Sequence, residues 1–440
     1  MLRNLFLGLS TAAALFAANT GSTKVTFYKD VLPVLQKNCQ ECHRVGEAGP
    51  MSFVTYQESR PWAKAIRGAV LQHTMPPWYA NPAHGEFRNA RQLTAQEVAT
   101  LTAWAEDGAL EGDAKDAPPK RQFVDGWNIG KPDVVYTLPH AFEVPAKGTI
   151  EYQYVVIPTG FKEDRWVEMA EVRPGNRTVN HHVIAFVRPP GVKWLSELKP
   201  GEFTVPAKQE RGKKREGTSE DGAGMFGVEL LVGYAPGLQP TVSPEGSAKF
   251  VPAGSDIVLQ LHYTATGTAA SDRSSVGLKF AKQPPQFRQL TVNATNNRFA
   301  IPPNDPAYEV KSSMTLQEDS KLVWLMPHMH FRGKDFLYTA VYPSGEREVL
   351  LDVPRYDFNW QLGYVLKNLK VLPKGTRIEC VAHFDNSANN KANPDPSKEV
   401  RWGDQTWEEM MIGWFDVAID PKMNPIDLYR PKPAPKASAE

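Results

Sequence analysis

The sequence predicts a multidomain protein in which a small all-α domain is followed by all-β sandwich structure. A length of 440 residues is enough for two or three domains. Residues of about 22–115 carry helix signals, whereas short apolar runs alternate with turn residues from about residue 130 onward. The 37 prolines and 32 glycines also favour a loop-rich chain that is more easily β than helical.

The first 18 residues have the pattern of a secretory signal peptide. Arg3 supplies a positive charge, residues 5–16 are apolar, and the small residues Ala17 and Ala18 follow. The apolar run is too short to span a membrane, so we predict cleavage near Ala18 and a mature chain without a transmembrane segment. The expected location is periplasmic or secreted, and an uncleaved anchor is the alternative.

Two of the three cysteines form a motif for covalent haem attachment, Cys39-x-x-Cys42-His43. On a helix the two cysteines share one face, so both sulfurs reach the vinyl groups of one porphyrin, and His43 then stands where it ligates the iron. The motif predicts one haem c in a cytochrome c-like domain at residues 22–115, and attachment outside the cytoplasm agrees with the signal peptide. A thioredoxin-like redox pair that precedes a histidine is the alternative.

A cytochrome c also needs a sixth iron ligand, for which Met75 is our candidate. Met75 lies in a loop stiffened by two prolines, and a soft thioether raises the reduction potential, as suits an electron carrier. His73 is the rival ligand, and simple packing of Met75 in the core is the other possibility.

A second helix is predicted at 94–107 in the same domain. Thr94 and Glu97 have the spacing of a capping box, and Gly108 marks the end of the helix. Residues 116–130 follow as a polar, proline-containing linker.

Residues 131–428 have the signature of β-sandwich domains. A polar insertion at 208–224 predicts a surface loop, and the Pro/Ala/Lys-rich tail at 429–440 predicts disorder. The predicted strands include Tyr152–Ile157, Val183–Val187, Ile257–Tyr263, Leu322–Met326 and Met411–Phe415.

Five of the ten histidines fall on or beside these strands, at His181, His182, His262, His328 and His330. Residues two apart on a strand face the same side, so His328 and His330 can bind one metal together. The adjacent pair, His181 and His182, diverges in a regular strand but converges if the strand bulges. Imidazole suits zinc, copper, iron or nickel, a His-Glu-x-x-His pattern is absent, and an electron carrier in the same chain favours copper. Ordinary core or surface histidines are the alternative.

The remaining cysteine, Cys380, leaves no partner for a disulfide once the haem takes the other two. A blue-copper site built on Cys380 and His383 lacks a nearby methionine, so a buried thiol is the better interpretation. The formal net charge of +1 gives no electrostatic reason to expect nucleic-acid binding.

Residues of about 135–425 resemble the copper type II, ascorbate-dependent monooxygenases, a family that includes the peptidylglycine α-hydroxylating and dopamine β-monooxygenases. The resemblance lies in the shared order of several short motifs, and the whole chain resembles bacterial proteins that fuse a cytochrome c to such a module. The motifs are Asn180-His181-His182, Gly233-Tyr234-Ala235-Pro236-Gly237, Leu259-Gln260-Leu261-His262-Tyr263, Met326-Pro327-His328-Met329-His330 and Asp404-Gln405-Thr406-Trp407-Glu408-Glu409-Met410.

The resemblance implies two jelly-roll-like β-sandwich domains, 131–280 and 281–428, each holding one copper. It implies a three-histidine electron-transfer copper and an oxygen-binding copper, with Met411 as a rival for the thioether ligand. The implied activity is hydroxylation of a C–H bond of a small organic substrate with O2, using electrons from an external donor. The implied ligands are His181, His182 and His262 for the first copper, and His328, His330 and Met410 for the second.

The sequence departs from that family at several positions. Met326 stands where the peptide-hydroxylating enzymes have a carboxylate-binding arginine, and Trp414 stands where they have a helping tyrosine. A peptide C-terminus is therefore not the expected substrate, and a haem domain can replace ascorbate as the source of electrons. Gln260 is a candidate hydrogen-bonding neighbour of the first copper, or a structural residue of its strand. A non-catalytic periplasmic copper-binding electron-transfer protein is the alternative function.

Overall fold

The computed structural model describes residues 24–47, 49–124, 126–206 and 228–430, and every structural statement below refers to these residues. The predicted signal peptide and the predicted loop at 208–224 lie outside them. Most of the predicted tail does as well, although Tyr429, its first residue, packs against the core of the last β unit. Strands make up most of the regular structure, and the four α-helices lie near the N-terminus.

The helices share a core built around Phe27, Leu35 and Trp104. The predicted capping box is confirmed, because the hydroxyl of Thr94 accepts from the Glu97 amide (3.2 Å) and the Glu97 carboxylate accepts from the Thr94 amide (2.7 Å). The helices are α1 (Leu32–Asn38), α2 (Tyr56–Ser59), α3 (Ala63–Leu71) and α4 (Ala95–Glu106), with single helical turns at Phe27–Val31, Arg60–Trp62, Ala114–Asp116 and Pro425–Leu428.

The first β unit is a sandwich of two antiparallel sheets, β1-β11-β4-β8 with β7 beside β4, and β3-β9-β5-β6. Apolar residues from both sheets, such as Val172 and Leu259, meet in one core. Its strands are β1 (Val134–Thr137), β2 (Phe142–Val144), β3 (Gln153–Pro158), β4 (Arg165–Arg173), β5 (Asn180–Arg188), β6 (Glu229–Tyr234), β7 (Thr241–Val242), β8 (Ser247–Val251), β9 (Asp256–Tyr263), β10 (Ala270–Asp272) and β11 (Ser275–Phe280).

The second β unit is a similar sandwich, with sheets β12-β21-β15-β18 and β14-β19-β16-β17. Its core includes Leu322, Tyr338 and Phe415. Its strands are β12 (Phe287–Thr295), β13 (Ala300–Ile301), β14 (Tyr308–Thr315), β15 (Ser320–His328), β16 (Gly333–Val341), β17 (Arg347–Val353), β18 (Tyr364–Leu372), β19 (Arg377–Phe384), β20 (Val400–Arg401) and β21 (Ile412–Ile419).

One sheet runs through both sandwiches, because β12 of the second unit pairs in parallel with β8 of the first. The contact is short, with Phe287 opposite Ser247 and Arg288 opposite Ala248. We call this continuous sheet the shared sheet. It fixes the position of one sandwich relative to the other.

All five runs predicted as strands overlap strands of the structure, although Tyr152 and Met411 each lie one residue before the strand begins, and the β-rich interpretation of this region is confirmed. Alternation along β9 is also as expected. Gln260 and His262 lie on its less buried face, whereas Leu259, Leu261 and Tyr263 are buried in the core.

An extended arm at residues 78–92 leaves the helices and packs on the second sandwich. The ring of Trp78 meets that of Tyr364 edge to face, with centroids 4.9 Å apart. The amide of Arg88 donates to the carbonyl of Val365 (2.9 Å), so the arm also hydrogen-bonds to β18. This packing anchors the helical segment on the second sandwich. The sequence predicts the arm as part of the cytochrome c-like domain at 22–115, whereas the structure packs it on a β unit.

Candidate metal centres and the cavity beside them

The first histidine cluster forms where β5 bulges against β9. The register shifts between Asn180 and His182, so that His181 becomes the extra residue and His182 lies directly opposite His262. The ring centroids of His181 and His182 lie 5.1 and 5.0 Å from that of His262. One ligand nitrogen from each residue lies within 4.8 Å of the others. The bulge that the adjacent pair requires is therefore present.

Burial keeps these imidazoles neutral. It lowers the pKa of His181 to about 4 and that of His262 to about 3, and it holds the pKa of His182 well below its ordinary value. Neutral imidazole is the form that ligates a metal. The buried Nε2 of His181 and Nδ1 of His262 have no hydrogen-bond partner among the described residues. Three neutral nitrogens, two of them unpaired, fit a metal ion well.

The second histidine pair lies at the end of β15. The rings of His328 and His330 are perpendicular, with centroids 5.3 Å apart. The Nδ1 of His328 lies 3.0 Å from the Gln361 side-chain oxygen, and the Nδ1 of His330 lies 3.2 Å from the Glu408 carbonyl. Such acceptors fix the tautomer and leave each Nε2 as the ligand atom. The Nε2 of His330 is buried without a partner in the described part of the chain.

A buried carboxylate holds this pair in place from behind. Glu409 accepts from the backbone amides of His330 (2.8 Å) and Arg332 (2.7 Å). Burial raises the pKa of Glu409 to about 8, against the lowering effect of those amides and of the Arg332 charge. The Arg332 guanidinium in turn donates to Asn386 (2.8 Å) and to the Trp407 carbonyl (2.9 Å). These bonds tie the segment before Met410 to the segment that carries the histidines.

The two candidate methionines occupy different environments. Met410 lines the same cavity as His328 and His330, whereas Met411 is fully buried in the core of the second sandwich. The placement favours Met410 as the thioether ligand.

The ring of Phe358 lies between the two histidine groups. It stacks on His181, with centroids 5.0 Å apart and planes inclined by 12°, and it meets His330 edge to face at 6.1 Å. The charge of His328 also contributes to the lowered pKa of His181, so the two groups sense each other electrostatically. One aromatic side chain therefore bridges the two candidate metal centres.

Tyr152 and Gln361 are further neighbours that sequence reasoning did not single out. The buried ring of Tyr152 lies 4.6 Å from His262 and 5.2 Å from His182. A lone tyrosine at the start of a strand carries no motif, and Gln361 lies in a loop far along the chain from its partner. Gln260, which the sequence did single out, hydrogen-bonds to the Tyr154 hydroxyl.

A cavity of about 720 Å³ lies beside both groups of histidines and between the two sandwiches. Its size suits a small organic molecule. The residues that matter for its chemistry are His182, His328, His330, Met410, Trp324 and Trp414.

The Cys-x-x-Cys-His motif begins at the C-terminal end of α1. The Nδ1 of His43 lies 3.2 Å from the Met51 carbonyl, which leaves Nε2 as the ligand atom for an iron. Burial raises the pKa of Cys39 to about 12 and also raises that of Cys42. A redox-active dithiol typically has a lowered thiol pKa, and both the haem and the thioredoxin-like interpretations of this motif stay predictions.

The sixth-ligand candidates lie in the loop after α3. Met75 is partly buried, whereas His73 is exposed and its carbonyl accepts from Arg355 of the second sandwich (2.7 Å). The choice between the two remains a prediction.

The segment that carries the Cys-x-x-Cys-His motif lies against the first sandwich. Arg177 pairs with Glu47, and its guanidinium lies 5.7 Å from the centre of the Tyr234 ring. Tyr234 is opposite Val183, the residue after His182. Burial raises the pKa of Tyr234 to about 12, with a contribution from Cys42. The helical segment thus meets the β5–β6 edge close to the three-histidine cluster.

Cys380 and His383 do not form a site together, which rules out the blue-copper alternative. They are three residues apart on β19, and burial alternates along that strand, so Cys380 faces the core and His383 faces outward. His383 instead pairs with Asp335 (2.6 Å).

The predicted linker at 116–130 packs back on the helices at its start. The carbonyl of Pro119 accepts from Gln36 (3.1 Å), and Arg121 pairs with Glu41 (2.6 Å). In the described ranges, no helix is both long and apolar enough to cross a membrane.

Comparison with known proteins finds no matching family model and no matching curated protein. A solved structure of PNGF-II gives a TM-score of 0.27 at 9% sequence identity, covering 66% of this chain and 65% of that one. A structure of infectious bursal disease virus Gt strain gives a TM-score of 0.18 at 10% identity, covering 68% and 75%. This chain matches slightly less than two thirds of the PNGF-II chain, and neither likeness carries an argument about function.

Proposed function

We propose that this protein is an exported haem c- and copper-containing oxidoreductase, a copper-dependent monooxygenase that hydroxylates a C–H bond of a small organic substrate with O2. The haem domain delivers electrons from an external donor to two mononuclear copper sites. One observation carries the proposal: two groups of buried or partly buried histidines, one of them beside Met410, lie next to one cavity of substrate size.

The ligand chemistry favours copper. The first cluster is made only of neutral imidazoles, and the second combines imidazoles with a thioether, which is a soft ligand that suits Cu(I). When bound, copper supplies the binding and reduction of O2, and haem supplies one-electron transfer.

The protein's own residues would prepare each site. His43 is oriented by the Met51 carbonyl, and His328 is oriented by Gln361. Glu409 keeps the backbone of His330 in place through its hydrogen bonds. The Nδ1 contacts of His43 and His328 leave the Nε2 of each ring as the atom available to a metal.

The cavity supports a monooxygenase over the alternative, a non-catalytic copper-binding electron-transfer protein. An electron carrier has no need of a cavity of about 720 Å³ beside its metal ligands. Met326 and Trp414 both line this cavity, so the positions that would grip a carboxylate in the resembled family present apolar surface instead.

Metal content tests the proposal directly. We expect elemental analysis to give one iron and two coppers per chain for protein matured with haem c and reconstituted with copper. A His328→Ala, His330→Ala double variant should retain one copper. The matched control is His140→Ala, which removes an exposed histidine from the first sandwich and should keep both.

One iron without tightly bound copper would overturn the proposal. Two coppers without oxygen incorporation into any of a panel of C–H substrates, supplied with a reductant and labelled O2, would favour the electron-transfer alternative.

A further inference from the structure

The cavity has a chemically distinct end, remote from the copper ligands. Along β15, Trp324, Met326 and His328 alternate onto the face of the shared sheet that borders the cavity. Trp414 and Asp416 do the same on β21. The cavity therefore follows this face from the histidine ligands towards Asp416.

The far end contains a buried ion pair. Lys249 donates to the Leu230 carbonyl (2.9 Å) and to the Thr291 hydroxyl (2.6 Å), and its ammonium lies 3.5 Å from Asp416. The Asp416 carboxylate also accepts from Thr291 (2.6 Å) and from Gln289. The positive and negative charges are thus matched within the protein, and neither needs a charged ligand.

Gln289 carries the one unsatisfied atom of this group. Only 2% of the residue is exposed, and it lines the cavity. Its amide nitrogen donates to Asp416, whereas its Oε1 has no partner among the described residues. The carboxylate fixes the orientation of the amide, because a flipped amide would set oxygen against oxygen. A buried acceptor without a donor is costly, so the site is built to receive a donor from a ligand.

The shared sheet sets the distance from this acceptor to the reacting end. Ile412 lies directly opposite His328, and Asp416 is four residues further along the same strand. At about 3.4 Å per residue, the two positions are about 14 Å apart. The intervening wall is formed by Trp324, Met326 and Trp414, which offer an apolar surface.

We propose that the substrate is an uncharged, elongated and largely apolar molecule with a hydroxyl or N–H donor at one end. Gln289 accepts from that donor, and the opposite end of the molecule is presented to His328, His330 and Met410. The identity of the reacting end rests on the proposed monooxygenase function. Recognition of the donor by Gln289 does not.

A set of straight-chain probes of nearly equal length tests the recognition step. The probes are n-decanol, n-decyl methyl ether, decanoate and n-decylamine, which differ only in the group at one end. Binding is measured by tryptophan fluorescence with copper-free protein, because Trp324 and Trp414 line the cavity. We expect n-decanol to bind about tenfold more tightly than its methyl ether, the effect of one hydrogen bond, and more tightly than either charged probe.

Two variants locate the effect. Gln289→Met keeps the side-chain length and removes the acceptor, so it should abolish the difference between n-decanol and its ether. Gln260→Met, at a lining position on β9, should leave that difference unchanged. Equal binding of n-decanol and its ether by the unaltered protein would by itself overturn the inference. Preferred binding of decanoate or n-decylamine would overturn it as well.

The outcome is independent of the metals. Gln289-dependent selectivity in a protein that binds no copper would support the inference and sink the proposed function. Two bound coppers together with equal binding of n-decanol and its ether would support the proposed function and overturn the inference.

Discussion

The buried ion pair of Lys249 and Asp416 should be a main determinant of how firmly the two sandwiches are joined. Lys249 lies on β8 and Asp416 on β21, so the pair spans the short parallel contact between β8 and β12. Their side chains are only 4% and 6% exposed. Lys249→Met removes the ammonium, leaves the carboxylate buried without its counter-charge, and should lower the free energy of unfolding by about 3–5 kcal/mol.

A double-mutant cycle separates the lost charge from the lost packing. Asp416→Asn in the Lys249→Met background removes the uncompensated charge, so the double variant should be more stable than Lys249→Met alone. We expect a coupling energy of about 1–3 kcal/mol. The matched control is Lys370→Met, whose partner Glu348 lies 2.7 Å away but is 39% exposed, and whose loss should cost less than about 1 kcal/mol.

Calorimetry is the suitable assay, because a chain with several cores need not unfold in one step. Lys249→Met should lower the midpoint of the main β transition by about 10 °C. A shift no larger than that of Lys370→Met would refute the reasoning. So would a double variant whose loss of unfolding free energy exceeds the sum of the losses in the two single variants.

Two further changes probe the capping box and the aromatic bridge. Burial raises the pKa of Glu97, but hydrogen bonds from Lys37 and the helix N-cap lower it to about 2. The stabilisation by ionised Glu97 is therefore present above its ordinary pKa near 4.5 and is lost as the pH falls towards 2. In acid titrations followed by circular dichroism, Glu97→Gln should destabilise the helices at pH 7. Near pH 2 the variant should match the unaltered protein. Phe358→Leu removes the ring between His181 and His330, and it should keep two coppers, weaken copper binding about threefold to tenfold and alter the copper EPR spectrum. An unchanged spectrum would contradict the bridging role.

Local patterns of the sequence predicted the elements well, because their causes are local. Alternation placed Gln260 and His262 on one face of β9, and the Thr94 capping box marked the start of α4. The adjacency of His181 and His182 even required a bulge, and the bulge is present.

Residues brought together by tertiary packing gave no comparable signal. Phe358 reaches His181 across the space between the two sandwiches, and Gln289 is an ordinary strand glutamine until its carboxylate partner is known. The arm at 78–92 likewise has no pattern that assigns it to the second sandwich. Such contacts depend on how distant strands meet, which no window of the sequence contains.

The shared sheet fixes the length of the cavity between its two polar ends, the histidine ligands and Asp416. Strand register is rigid, so His328 and Asp416 keep a set separation on neighbouring strands. The first sandwich contributes the other components, namely Lys249 through β8 and the three-histidine cluster through β5 and β9. Because β8 and β12 hold the two units together, any change in that contact would move the histidine groups relative to each other. Joining the sandwiches therefore serves the geometry of the site as well as the stability of the fold.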